Sequence, residues 1–97
     1  MIQFLYKAKF KKLFLELSDQ EKELVILADE EIRDYYVTGK ASYGLRIKRL
    51  YSDKVEGEVF EARVSSSLRI LWTKQKNEII FALLGTHNDL QRFLKNL

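Results

Sequence analysis

The 97-residue sequence contains no cysteine, no proline and a single histidine, His87. Without cysteine there is neither a disulfide framework nor a thiolate zinc site, and a reducing cytoplasm is the simplest compartment. The amino terminus also lacks a continuous apolar run. MIQFLYKAKFKKLFLEL interrupts its apolar residues with lysines and offers no small-residue cleavage site, so neither a signal peptide nor a membrane span is expected. No repeat or linker divides the chain. One domain over residues 1–97 is expected, long enough for a single core but not for two.

What is present is a globular composition, 46% hydrophobic and 32% charged, which excludes a disordered chain. The formal net charge of +3 is unevenly spread. Asp19 to Asp34 holds seven acidic residues against Lys22 and Arg33, so this segment carries −5 and the remainder +8. An acidic segment joined to a basic remainder points to an anionic partner such as nucleic acid or an acidic protein. Ordinary helix-surface charge would give the same pattern.

Hydrophobic period orders the elements. Ile2 to Tyr6 reads as a short strand. Phe10, Leu13, Phe14 and Leu17 recur at helical spacing. Ser18-Asp19-Gln20-Glu21 is a capping-box pattern that opens a second helix, with Leu24, Leu27, Ala28, Ile32 and Tyr35 on its buried side and Gly39 as its stop. From Tyr43 the period becomes two. Leu45 and Ile47 oppose Arg46 and Lys48; Phe60, Ala62 and Val64 oppose Glu61, Arg63 and Ser65; Leu68, Ile70 and Trp72 oppose Arg69, Leu71 and Thr73. Ile79 to Leu84 is a continuous apolar run, the mark of a central strand covered on both faces. Asn88 is placed to cap a last helix with Leu90, Phe93, Leu94 and Leu97 as its stripe. The order is βααββββα.

If the later strands pair as an antiparallel meander, Arg46, Lys48, Glu61, Arg63 and Arg69 share one face, open on the side away from the helical hairpin. His87 arrives at its edge. Arginine offers a planar fork of donors that matches phosphate oxygens, so a nucleic-acid backbone suits this face. Single exposed arginines on strands are often merely solvated; several side chains converging from four strands are harder to read that way.

The element order, the LRIKRL strand, the FEARVSSSLRILW hairpin and the LLGTH strand end resemble the RelE/ParE superfamily of bacterial and archaeal toxins, the toxin halves of type II toxin–antitoxin pairs. The GTH triplet and hairpin length are most similar to the YafQ branch, whose members cleave mRNA on the ribosome. The resemblance implies an α+β fold: a twisted antiparallel sheet of four to five strands against an N-terminal helical hairpin, with a short C-terminal helix. It also implies a cognate antitoxin that covers the basic face. His87 matches the catalytic histidine of YafQ-like enzymes, and Arg63 a strand position where they carry another functional histidine. Arg69 matches an arginine that RelE-like nucleases aim at the scissile phosphate. Ser67 stands where the YafQ branch has an aspartate, and no tyrosine follows Tyr51, so neither branch's full catalytic set is present.

The residue types carry their own chemistry. RNA cleavage without a metal uses the neighbouring 2′-hydroxyl as nucleophile and leaves a 2′,3′-cyclic phosphate. Arg63 and Arg69 would stabilise the charge added at phosphorus. An imidazole such as His87 has both protonation forms at cellular pH and is assigned as general acid. Glu61 is the candidate base or an ion-pair partner of an arginine, and Arg46, Lys48 and Arg49 are candidate RNA-backbone contacts. No carboxylate or histidine pair has metal-site spacing, so no metal and no other cofactor is expected. The expected partners are an antitoxin, the ribosome and mRNA, with no membrane. Two other outcomes fit the same residues: a ParE-like inhibitor of DNA gyrase that performs no hydrolysis, or an inactive member that only binds its antitoxin.

Overall fold

In the computed structural model, which describes residues 1–40 and 43–97, the Ser18 signature does what its residues dictate. Ser18 Oγ accepts from the Glu21 amide at 3.2 Å, and the Glu21 carboxylate accepts from the Ser18 amide at 3.3 Å. This reciprocal cap separates helix α1 (Ala8–Leu15) from helix α2 (Asp19–Thr38) with only three residues between them. Gly39 closes α2 in the left-handed conformation at φ 79°, where a side chain would be strained. Strand β1 (Gln3–Tyr6) precedes the hairpin; β2 (Lys48–Leu50), β3 (Glu58–Arg63), β4 (Arg69–Gln75), β5 (Glu78–Gly85) and helix α3 (His87–Lys95) follow it. The order is the expected one. No helix among the described residues is long and apolar enough to cross a membrane.

The five strands form one sheet in the order β1-β5-β4-β3-β2. The meander from β2 to β5 is antiparallel, but β1 lies parallel to β5, so the sheet is mixed. Its first face carries the main core. Ile70, Trp72, Ile79, Phe81 and Leu84 pack against Phe10 of α1 and against Val25, Ala28 and Ile32 of α2. The stripe of α2 is therefore rotated from the expected one. Leu27 is 54% exposed while Val25 is buried, because Trp72 Nε1 donates to Tyr36 Oη at 2.8 Å and Tyr6 donates to Asp29 at 2.7 Å. Those two bonds decide between neighbouring apolar stripes.

The second face is not open along its whole length. Leu50, Val59, Leu71 and Leu83 form a smaller core beneath Leu90 and Leu94 of α3. Leu71, an apolar residue at a position of polar parity, is explained by this cover. A bulge in β5 makes it work: Leu71 pairs with Leu83 and Trp72 with Phe81, leaving Ala82 as an extra residue. Ile79 and Phe81 face the hairpin, whereas Ala82 and Leu83 face α3. An uninterrupted alternation would aim the end of β5 at the opposite side.

Candidate active site

Beyond the N-terminal end of α3, the second face is charged. Cα pairing sets Lys48 opposite Glu61, Arg63 opposite Arg69, and Arg69 opposite Gly85. A pocket of about 270 Å³ lies over these residues, lined by Arg46, Lys48, Glu61, Ala62, Arg63, Arg69 and His87. Four cations thus surround one carboxylate and one imidazole. Like charges directly opposite on one strand pair are destabilising, so the Arg63–Arg69 pairing is an unfavourable arrangement that a bound anion would relieve.

Each side chain has a local reason for its place. Arg69 Nη1 donates to the Ser65 carbonyl at 2.9 Å. Ser65 is itself set by the turn, in which the Leu68 amide donates to Ser65 Oγ at 3.1 Å and the Val64 amide to the Leu68 carbonyl at 2.9 Å. The serine-rich turn therefore orders the arginine that follows it. Arg46 does not lie in a strand. Its φ is 49°, a left-handed conformation that costs a non-glycine residue about 1 kcal/mol or more. The expected strand from Leu45 begins only at Lys48, yet Leu45 and Ile47 still pack toward the main core and Arg46 still lines the pocket.

His87 is the first residue of α3, and Thr86, not Asn88, is the cap. Thr86 Oγ1 accepts from the Asp89 amide at 3.1 Å, and Asp89 accepts from the Thr86 amide at 2.9 Å. The T-x-x-D pattern of Thr86 and Asp89 was a readable signal for this box. Gly85 is needed for the close approach: a Cβ there would stand 2.8 Å from Asp89 Cβ. With the cap supplied by its neighbours, the His87 imidazole is free for another role. Its Nδ1 lies 3.3 Å from Glu61 Oε1, and its side chain is 47% exposed.

Glu61 differs from the expectation of an accessible base. The residue is 5% exposed. Its Oε2, like Arg63 Nε, is buried and has no hydrogen-bond partner among the described residues. A base must reach the proton it removes; Glu61 is buried, and its Oε1 lies against His87. Arg49 does not join the cluster either. It pairs with Glu58 at 3.0 Å and lies over the Tyr51 and Phe60 rings, on the side of the sheet that carries Phe60. Of the seven residues expected at the site, six converge and Arg49 is excluded by strand parity. Among the described residues, no three of His, Cys, Asp and Glu form a group that could hold a metal.

The sequence matches no protein-family model and no curated protein. Solved structures do match. The YoeB dimer from Staphylococcus aureus superposes with a TM-score of 0.66 at 16% identity, over 89% of this chain and 97% of that one. The YafQ complex with DinJ from E. coli gives 0.66 at 16% identity, over 93% and 98%. The RelB–RelE antitoxin–toxin complex from Methanococcus jannaschii gives 0.64 at 15% identity, over 92% and 96%. The chain has the RelE-like toxin fold. Near-complete coverage on both sides means that the whole domain is shared, mixed sheet and hairpin included. At these identities the likeness is one of fold, and the RelE-like scaffold leaves the chemistry to be argued from the pocket.

Proposed function

We propose that this chain is the toxin of a toxin–antitoxin pair, a cytoplasmic endoribonuclease that cleaves mRNA on the ribosome without a metal and so halts translation. The observation that carries the reading is the opposed Arg63–Arg69 pair with His87 at the rim of the same pocket. An RNA phosphate seated between the two guanidiniums relieves their repulsion and meets donors already in place as charge grows on its oxygens. Arg46 and Lys48 extend the contact along the RNA backbone. The 2′-hydroxyl attacks phosphorus in line and releases its proton to water. The bond to the 5′-oxygen breaks, that oxygen takes a proton from His87 Nε2, and a 2′,3′-cyclic phosphate remains.

An antitoxin partner is supported by the neighbours of known assembly, since RelE is seen with RelB and YafQ with DinJ. Exposed Leu15, Ile26 and Val37 on the helical hairpin and its end leave apolar surface for such a partner.

Primer extension on mRNA from cells expressing the chain tests the reading. Cuts inside translated codons are expected, absent from a reporter whose start codon is removed and reduced about 10² to 10⁴-fold by His87→Gln. Intact mRNA with an induced DNA-damage response would replace it with gyrase inhibition. Intact mRNA without that response would leave only the antitoxin-binding role.

A further inference from the structure

We propose that Glu61 is the positioning residue of this site: it holds the proton of His87 on Nδ1, so that Nε2 is the nitrogen presented to the pocket. The inference deepens the nuclease reading and rests on it for its catalytic consequence, while its structural half stands on geometry alone. Glu61 sits on β3 and His87 at the start of α3, two elements with no sequence proximity, yet Glu61 Oε1 and His87 Nδ1 lie 3.3 Å apart. The carboxylate is buried and the imidazole half-exposed, the arrangement of a holder beneath a working group.

The chemistry of the two side chains fixes the proton. An ionised carboxylate only accepts hydrogen bonds, whereas a neutral imidazole has one N–H and one bare lone pair. A lone pair turned toward Glu61 would set two acceptors against each other in a buried place. The Nδ1–H form removes that conflict. When the doubly protonated ring gives up a proton, the one on Nε2 leaves and the one on Nδ1 stays against Glu61. Proton loss is thereby directed to the pocket side. The other charges that face the pair are Arg46 beside β2, Lys48 on β2, Arg63 on β3 and Arg69 on β4. All are donors without acceptor capacity, so among the side chains lining this pocket Glu61 is the one able to accept from an Nδ1–H.

The backbone supports the contact from both ends. Lys48 opposite and Leu71 on the other side flank Glu61 in the sheet. The Thr86–Asp89 box and Gly85 fix the first turn of α3, where His87 begins. The extra residue at Ala82 turns the end of β5 to this face. Each feature serves to bring residue 87 over residue 61.

His87 is the sole histidine, so one imidazole signal reports on the site. The 97-residue chain, refolded after chemical synthesis with a single ¹⁵N-labelled histidine, allows the tautomer to be read by long-range nitrogen–proton NMR. At a pH where the ring is neutral, the Nδ1–H form is expected to dominate in the wild type. Glu61→Gln, which keeps the volume but adds an amide donor, is expected to shift the population toward Nε2–H. It should also lower kcat for mRNA cleavage by about 10 to 10²-fold with little change in KM, part of what a positioned acid–base group supplies. Glu61→Asp, which restores the carboxylate, should recover the Nδ1–H form in part. A wild type dominated by Nε2–H would overturn the proposal without any variant. A tautomer and kcat unchanged by Glu61→Gln would overturn it as well. Should the wild type show the Nδ1–H form and cleave no RNA, the nuclease reading fails and the positioning of His87 stands.

Discussion

The two faces of the sheet treat polar groups in opposite ways. On the hairpin face, among the described residues, the buried side-chain polar atoms have partners. Trp72 donates to Tyr36, Tyr6 donates to Asp29, and Asp29 also accepts from Arg33. Burial pushes the Tyr36 phenol up to about 12 and raises the Tyr6 phenol further, so both stay neutral donors at ordinary pH. On the charged end of the other face, two arginines oppose each other, and buried atoms of Glu61 and Arg63 lack partners among the described residues. The first face is arranged for stability. The second holds an arrangement that folding alone does not favour and that an anionic ligand would complete.

The largest test of this contrast removes the centre of the first face. Trp72 is fully buried, 5.8 Å from the Phe60 ring and 6.2 Å from the Phe81 ring between centroids. Trp72→Ala is expected to cost about 3 to 5 kcal/mol, by loss of transferred area, a cavity and an unpaired Tyr36 hydroxyl. Urea unfolding followed by circular dichroism measures it. A cost below about 1 kcal/mol would mean that the hairpin face is not where stability resides.

The opposite sign is expected on the other face. Arg63→Met removes a charge facing Arg69 and a buried guanidinium nitrogen that has no partner among the described residues, while keeping the apolar stem. Stability should rise by up to about 1 kcal/mol, the scale of a like-charge cross-strand pair. RNA binding should weaken and its salt slope fall by about one unit, since one phosphate contact is lost. A variant both less stable and unchanged in RNA binding would show that Arg63 is an ordinary structural residue.

The contrast also explains what could be read from the sequence. Element order, the Ser18 box, the Gly39 stop and the strand parities of Glu61, Arg63 and Arg69 were legible, because each depends on spacing within a few residues. The convergence of Lys48, Glu61, Arg63 and Arg69 followed from parity once antiparallel pairing was assumed. Features set by distant partners were not legible. The rotation of α2 depends on Trp72 meeting Tyr36, 36 residues away. The bulge at Ala82 lies inside a uniformly apolar run, where no alternation exists to reveal a change of face. The burial of Glu61 goes with α3 folding back over β5 and β4, which sets His87 against it. Glu61 was visible as a candidate, but its role could not be separated from that of a base until His87 was placed against it.

The smallest expected effect concerns the turn that delivers His87. The Thr86 backbone amide, donating to Asp89 with further help from the Thr86 hydroxyl and Arg92, holds the Asp89 carboxyl below its ordinary value of 3.8. A depressed folded-state value means that the ionised form stabilises the fold. That contribution is complete above the unfolded value and is lost as pH falls through the folded one. Asp89→Asn keeps an oxygen that can accept from Thr86 but cannot ionise, so it isolates the charge. The wild type should be slightly more stable than this variant near pH 6, and the difference should shrink once pH drops below 3.8. Thermal melts of both proteins across that range provide the measurement. Because His87 lies between Thr86 and Asp89, loosening this turn should also weaken the His87–Glu61 contact, broadening the imidazole signal in the same samples. A stability difference that stayed constant with pH would mean that the Asp89 charge contributes nothing, and that hydrogen bonding alone holds the first turn of α3 over the charged end of the sheet.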